Sequence, residues 1–299
     1  MVGRNTIKRG VKRTAGWAAV LSRPFAESRE GARACVFYYH RVADLEFVDP
    51  RVDDWNVPPR AFERQLAALA EFAEFVPLLE LPRRLGQTPA KRRPLVSLTF
   101  DDGYASFYTR ALPVLRRYGA HATVFVVTGT IGSGEPQPFD AWAHKNRART
   151  RPEDWRALSW AELEACVASG LVHVGAHSHQ HLRGSLCEPA QLTEEAERSR
   201  ETLRRRLGEA QARAYAYPYG STRLGDASPA YREAVRAAGY EVAVTTDLGL
   251  AVAESDPLLL PRIEAHALDA ANVLKAKATG ALAPYRLTDR LRAVNRALS

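Results

Sequence analysis

The sequence has few cysteines and no long apolar run. Its cysteines are Cys35, Cys166 and Cys187, an odd number at wide spacing, which fits neither a disulfide framework nor a cysteine-based zinc site. No stretch approaches the roughly 18 consecutive apolar residues of a membrane-spanning helix. The apolar patch between Gly16 and Leu21 is also too short for a secretory signal. These absences predict reduced thiols and a cytoplasmic location.

Positive charge is in excess, and the sequence has no internal repeat or low-complexity tract. Lys and Arg outnumber Asp and Glu by 42 to 34, which gives a formal net charge of +8. This balance suits an anionic partner such as an acidic membrane surface, a phosphorylated glycan or nucleic acid. The basic residues are dispersed and form no nucleic-acid-binding motif, so we predict no nucleic-acid partner. With 46% hydrophobic residues, the 299-residue chain can bury a sizeable core as one large α/β domain or two small domains.

Apolar or β-branched runs alternate with segments of helical periodicity from residue 34 onward. This alternation predicts repeated β-α units and hence a mostly parallel sheet or barrel. The predicted strands cover residues 34–39, 95–100, 122–127, 171–176, 214–217, 241–245 and 258–263. The predicted helices cover residues 60–72, 105–118, 160–169, 192–207 and 229–238.

Three segments differ from this alternation. Residues 1–30 are basic and have a short apolar face. The segment is predicted either to lie on an anionic membrane surface as an amphipathic helix or to form a solvated arm. Residues 132–158, rich in Pro, Gly, Arg and Trp, are predicted to form a long surface loop inserted into a barrel of residues 31–270. Residues 271–299 are predicted to form a helical extension.

Two adjacent carboxylates follow the apolar strand at residues 95–100. Asp101 and Asp102 carry like charges a few ångströms apart, and each raises the pKa of the other unless a cation or hydrogen bonds intervene. The pair therefore favours a metal ligand beside a general base. An Asp-Asp-Gly sequence at a strand end is also a common turn, so this pattern alone leaves both interpretations open.

Three histidines fall within five residues directly after the strand at residues 171–176. His177 and His181 are four residues apart, which on a helical turn places both imidazoles on the same face. Two histidines plus one carboxylate, with open positions for water, are typical of catalytic divalent-metal sites. Because strand ends converge at one rim of a barrel, the histidines and the aspartate pair can meet there. Together they predict a catalytic metal site, to which His179 is not assigned.

Ordered motifs in the chain resemble those of a known family. The strings T-F-D-D-G-Y at residues 99–104, H-S-H-Q-H at 177–181 and A-Y-P-Y-G at 216–220 are similar to motifs of the polysaccharide deacetylases, the NodB-homology or carbohydrate esterase family 4 enzymes. The resemblance spans roughly residues 40–263. It implies a single-domain α/β fold, a distorted (β/α) barrel. It also implies removal of an N-acetyl group from an amino sugar with a divalent metal, usually zinc, with nickel or cobalt as alternatives.

The resemblance further implies roles for individual residues. Asp102, His177 and His181 would bind the metal, and Asp101 would accept a proton from the attacking water as general base. The backbone N–H of Tyr219 would stabilise the charge that develops on the carbonyl oxygen. The reaction would be acyl transfer to water without a covalent enzyme intermediate.

Two positions depart from the common pattern of the family. A late Leu-x-His motif usually supplies the acid that protonates the departing amine, but the leucine before His266 is missing. His40 lies in an early Tyr-His pair that resembles the one in biofilm-exopolysaccharide deacetylases, and we favour it over His266 as the acid. Ala216 stands where most members have an arginine that orients the catalytic aspartate, and we expect Arg262 to replace that arginine.

These features predict a metal-dependent de-N-acetylase of glycan biosynthesis. A nucleotide-linked or lipid-linked amino sugar, or an intermediate of surface polysaccharide, is the favoured substrate because no export signal is recognisable. Two alternatives stay open: hydrolysis of another C–N bond on the same fold, by a deformylase or cyclic amidase, and a glycan-binding pseudoenzyme.

Trp142 and Trp155 are predicted to stack on sugar rings or to anchor the inserted loop, and Trp160 is predicted to pack in the core. The oligomeric state is not predicted.

Overall fold

The computed structural model describes residues 32–45, 55–87 and 93–281. The basic segment 1–30, with its predicted membrane contact, lies outside the described residues. The same is true of residues 282–299, which make up most of the predicted helical extension.

The strands form a closed barrel. In chain order they are β1 (Arg33–Tyr39), β2 (Glu74–Phe75), β3 (Leu95–Phe100), β4 (Ala122–Val126), β5 (Val172–Ala176), β6 (Ala214–Ala216), β7 (Val242–Leu248), β8 (Ala251–Val252) and β9 (Leu260–Glu264). Seven of them pair in parallel in the order β1-β3-β4-β5-β6-β7-β9, and β9 pairs again with β1. The short β2 extends the sheet beside β3, and β8 lies antiparallel to β1. The predicted single-domain α/β barrel is therefore confirmed.

Helices surround the barrel and connect its strands. They are α1 (Pro59–Phe72), α2 (Leu81–Gln87), α3 (Leu112–Tyr118), α4 (Ala141–Asn146), α5 (Trp160–Ala168), α6 (Pro189–Leu207), α7 (Pro229–Ala238) and α8 (Ala271–Thr279). Local sequence sets their ends: Ser159 and Glu162 form a capping box at the start of α5, and Gly239 ends α7 in a left-handed conformation. Within the described ranges, no helix has the length and apolar character that crossing a bilayer requires.

One apolar cluster of the fold includes small side chains beside a large ring. Ala34, Ala214 and Ala216 are fully buried and belong to the same apolar cluster as Phe125. A Cβ added at Gly175 would lie 2.6 Å from the Phe125 ring, so β5 can approach this ring only with glycine at that position. Just beyond the carboxyl ends of β3 and β5, by contrast, the buried residues are polar, among them Asp101, Asp102 and His177.

The inserted segment 132–158 is more ordered than a surface loop. It contains α4, and Asp140 caps this helix by accepting a hydrogen bond from the N–H of Ala143 at 2.9 Å. Trp142 in α4 is only 1% exposed, so it anchors the segment and does not stack on a sugar. Trp155 packs against it, while Trp160 packs against the main core as predicted.

Candidate active site

The predicted site residues lie at the carboxyl ends of neighbouring strands. Two of them continue the hydrogen-bond ladder by one residue. The N–H of Asp101 donates to the carbonyl of Tyr39 at 2.8 Å, and the N–H of His177 donates to the carbonyl of Val126 at 2.8 Å. The barrel backbone therefore fixes the direction in which both side chains leave the strands.

Asp102, His177 and His181 converge on one point. The Oδ1 atom of Asp102 lies 3.5 Å from Nε2 of each histidine, and the three candidate ligand atoms lie within 4.8 Å of one another. Nδ1 of His177 is hydrogen-bonded to the carbonyl oxygen of Ala216 at 2.8 Å, which directs Nε2 of that ring towards Asp102. One carboxylate oxygen and two imidazole nitrogens are ligands that zinc and similar divalent cations accept.

The pKa shifts of these three residues favour the binding of a cation. Burial raises the pKa of Asp102 well above its usual range, and the carboxylates of Asp101 and Asp140 raise it further. Burial lowers the pKa of both His177 and His181, so the imidazoles are held neutral. A buried carboxylate whose ionised form is disfavoured, beside two neutral nitrogen donors, is stabilised when a divalent metal binds.

Asp101 has a charge partner of its own. The guanidinium of Arg262 donates two hydrogen bonds to its carboxylate, each 2.7 Å long, and a third to the carbonyl of Thr245 at 2.8 Å. Arg262 is fully buried. Burial acts to raise the pKa of Asp101, but the charges of Arg262 and His177 and the hydrogen bonds from Arg262 outweigh it and bring the pKa to about 2. Asp101 is therefore ionised and held in one orientation.

Four site residues have a left-handed backbone, and among the described residues they are the non-glycine residues that do. They are Asp102 (φ 69°), Ser178 (φ 61°), His181 (φ 62°) and Tyr219 (φ 60°). Side-chain hydrogen bonds hold these turns: Ser178 Oγ accepts the N–H of His181 at 2.9 Å, and Thr246 Oγ1 donates to the carbonyl of Tyr219 at 2.6 Å. Such strain in non-glycine residues is typical of functional sites.

The histidine loop is held from the side by a buried glutamate. Glu195 of α6 is 4% exposed and accepts the N–H groups of His179 and Gln180 at 2.9 and 2.7 Å. The ring of His179 turns away from Asp102, with Nδ1 2.9 Å from Thr128 Oγ1. His179 thus belongs to the loop but not to the candidate metal-binding group. Glu195 has no distinguishing signal in the sequence, since it lies on a long polar helix.

His40 and His266 lie in different surroundings. His40 follows β1 and stacks on Trp55, with ring centroids 5.5 Å apart. Burial lowers its pKa to about 4, against the opposing charge of Asp101, so its electrostatic environment includes the candidate base. His266 lies beyond β9, where Nε2 is 3.4 Å from Oε2 of Glu264.

Tyr219 and Trp55 are exposed aromatic residues at the site. The Tyr219 ring is 44% exposed, and its centroid lies 5.2 Å from that of His181. Trp55 is 41% exposed and covers His40. Trp55 was missed because residues 46–58 show no clear periodicity. Phe139 was also missed, and its ring stacks on His181.

Comparisons with known proteins give consistent results. The family model for polysaccharide deacetylase matches residues 88–243. YxkH of Bacillus subtilis (strain 168), which carries a polysaccharide deacetylase name, is 24% identical over 239 residues, or 79% of this chain and 73% of YxkH. The poly-β-1,6-N-acetyl-D-glucosamine N-deacetylase of Staphylococcus aureus (strain MSSA476) is 24% identical over 207 residues. That match covers 62% of this chain and 64% of the staphylococcal enzyme, just under two thirds of its length.

A solved structure shares the fold. The Streptococcus pyogenes deacetylase PplD, in complex with acetate, superposes with a TM-score of 0.65 at 23% identity. The match covers 83% of this chain and 99% of PplD. The similarity therefore extends over the whole PplD chain.

Proposed function

The chain belongs to the polysaccharide deacetylase family, and on that premise we propose that it is a metal-dependent hydrolase that removes N-acetyl groups from an amino-sugar glycan. One observation carries the proposal. The three candidate ligands Asp102, His177 and His181 lie beside an aspartate, Asp101, that is ionised and oriented by Arg262. A cation site next to a fixed carboxylate is what metal-assisted hydrolysis of an amide requires.

Asp102, His177 and His181 would hold the metal, and zinc suits the donor set best. When bound, a divalent cation polarises the acetamide carbonyl and makes a water molecule acidic enough to attack at neutral pH. The left-handed turn at Tyr219 supports a role for its backbone N–H as a donor to the developing oxyanion.

Asp101 would accept a proton from the attacking water. Arg262 keeps this carboxylate ionised, so it is available as a base over the whole physiological pH range. The bidentate contact also prevents the carboxylate from rotating towards Asp102. Its contact with Asp101 supports the proposal that Arg262 replaces the arginine for which Ala216 stands here.

His40 would protonate the departing amine. Because its pKa is about 4, His40 is neutral in the resting site and must gain a proton before it can donate one. The proton that Asp101 takes from the attacking water is one source for it. His40 then passes that proton to the amine nitrogen, and acetate and a free amino sugar are released.

The substrate proposed is an N-acetylated glycan or sugar-lipid, at the inner face of the membrane. The name of the staphylococcal relative supports an N-acetylglucosamine polymer as the first compound to try. Residues 1–31 contain seven Lys or Arg and two Glu, which supports peripheral contact with an anionic membrane surface.

The test is acetate release from N-acetylglucosamine oligomers, nucleotide-linked N-acetylglucosamine and lipid-linked amino sugars. We expect release that stops on chelation, returns with zinc and is absent in Asp101→Asn. We also expect His40→Ala to lose activity while the matched His266→Ala retains it. Zinc-loaded protein that releases no acetate from any of these compounds, but hydrolyses a formamide or cyclic amide, would contradict the proposal.

A further inference from the structure

We propose that Phe139 is a positioning residue that orients the imidazole of His181 for metal binding, by stacking rather than by a hydrogen bond. This inference rests on the proposed function, because it assigns a role around the same metal site. It gives the inserted segment 132–158 a role in supporting the candidate metal ligands, which the sequence did not predict.

The two candidate histidine ligands are held in different ways. A histidine that binds a metal usually donates its second ring N–H to a carbonyl or carboxylate, which fixes the ring orientation. His177 follows this rule through the carbonyl of Ala216. His181 does not: its Nδ1 is buried and has no hydrogen-bond partner among the residues that the structure describes. No second residue therefore fixes the His181 ring through Nδ1 within the described part of the chain.

Phe139 contacts the His181 ring by stacking instead. Its ring lies nearly parallel to the imidazole of His181, at an interplanar angle of 22° and a centroid distance of 3.8 Å. Contact over a whole face restricts rotation of the imidazole about its Cβ–Cγ bond. It leaves Nε2 of His181 directed at Asp102.

The position of Phe139 is fixed independently of the site. The next residue, Asp140, forms a buried ion pair with Arg41 and also accepts a hydrogen bond from the hydroxyl of Tyr104 at 2.9 Å. The guanidinium of Arg41 lies between the rings of Tyr104 and Trp142, 4.2 and 4.8 Å from their centroids. These contacts join the inserted segment firmly to the end of β1.

A second residue of the segment contacts the carboxylate ligand. Gln137 is fully buried, and its Nε2 donates to the backbone carbonyl of Asp102 at 2.7 Å. Asp102 is in the left-handed region, so this bond holds a peptide orientation that aspartate seldom adopts. The inserted segment therefore supports two of the three candidate ligands from outside the strands.

The test measures metal affinity and not only activity. Cobalt(II) binding to the full chain is followed by its visible absorption, with zinc affinity taken from competition. We expect Phe139→Leu to weaken binding of both metals by roughly 10- to 100-fold and to alter the cobalt spectrum. Phe139→Tyr keeps the flat ring and should restore both properties. Phe72→Leu is the matched control, because Phe72 is also half-buried but lies on α1 away from the site.

The thermal midpoint of each metal-free variant shows whether it is folded. If Phe139→Leu does not fold, Phe139→Met offers an unbranched, flexible side chain that fills irregular gaps but has no planar ring, and the same loss of affinity is expected. Unchanged affinity and spectrum in a folded Phe139→Leu or Phe139→Met would overturn the positioning role alone. Wild-type protein that binds cobalt no better than Asp102→Asn would instead overturn the metal site, and with it the proposed function.

Discussion

The two carboxylates of the site are neighbours in sequence but differ in how the protein treats them. Asp101 continues the β3 ladder and is paired with the buried Arg262. The charge of Arg262 offsets the cost of burying the Asp101 carboxylate. Asp102 leaves the ladder in a left-handed turn and faces two neutral histidines. Its pKa is raised where that of Asp101 is lowered.

This difference separates their roles before any cation binds. A carboxylate that already has its counter-charge stays ionised without a metal. A carboxylate without one gains most from a divalent ion. The contact with Arg262 thus distinguishes the proposed base, Asp101, from the candidate ligand, Asp102. The Arg262–Asp101 pair and the candidate metal-binding group are the two halves of the site, and if they are independent, a change in one should leave the other intact.

Loss of the Asp101 carboxylate should have the largest effect. We expect Asp101→Asn to lower kcat by roughly 10²- to 10⁴-fold, because no group then accepts the proton from water. Zinc affinity should stay within a few fold of wild type, since Asp101 is not a ligand. The matched variant Asp102→Asn should lose zinc binding as well as activity. Equal loss of zinc in both variants would show that the halves are coupled.

Removal of Arg262 should destabilise the fold through Asp101. We expect Arg262→Leu to lower the free energy of unfolding by about 3–5 kcal/mol, because a buried carboxylate loses its partner. The double variant Arg262→Leu/Asp101→Asn should recover part of that loss, as the uncompensated charge is gone. Urea unfolding of metal-free Arg262→Leu, Asp101→Asn and the double variant measures the loss of unfolding free energy in each relative to wild type. Strictly additive losses would mean that the pair is not the cause.

Zinc should stabilise the protein through the candidate metal-binding group of Asp102, His177 and His181. At 100 times the dissociation constant, zinc is expected to add about 2.7 kcal/mol to the free energy of unfolding, provided that the unfolded chain does not bind it. Thermal unfolding with and without a chelator measures this gain. Arg262→Lys should keep it and Asp102→Asn should not. A gain that persists in Asp102→Asn would place the zinc elsewhere.

The smallest effect concerns a histidine far from the site, His173 on β5. Burial lowers its pKa to about 4, so the folded protein holds it neutral while the unfolded chain protonates it near its usual pKa. Stability from this source is present above that usual value and is lost as the pH falls towards 4. His173→Gln should reduce the acid sensitivity of the free energy of unfolding between pH 7 and 5 by on the order of 1 kcal/mol. Zinc should leave this difference unchanged, whereas a zinc-dependent difference would link His173 to the metal-binding half.

Much of the fold could be predicted because the strands of a closed parallel barrel are buried on both faces. Their apolar runs stand out between helices, so the predicted strand at 95–100 agrees with β3 to the residue. The two-residue strands β2 and β8 were missed, since such short segments have no detectable period. The predicted helix 105–118 begins instead with a π-helical turn at Phe107–Ala111, before α3.

The candidate site was predictable where its residues are unusual in sequence or where the family resemblance pointed to them. Adjacent aspartates and clustered histidines attract notice because such patterns are costly without a purpose. Phe139 and Glu195 have no such local signal, because their roles arise from contacts across 42 residues to His181 and 16 residues to His179. Supporting residues of this kind are defined by the packing between segments, which a single sequence does not specify.

The left-handed turns at Asp102, Ser178, His181 and Tyr219 also bear on engineering. Each costs of order 1–3 kcal/mol that a glycine would avoid, so a selection for heat resistance alone would reward glycine at these positions. Ser178→Gly would be the easiest of these changes to accept, and it would remove the hydroxyl that holds the N–H of His181. A library built for thermostability should therefore exclude these four codons, or it will enrich robust proteins with damaged catalytic centres.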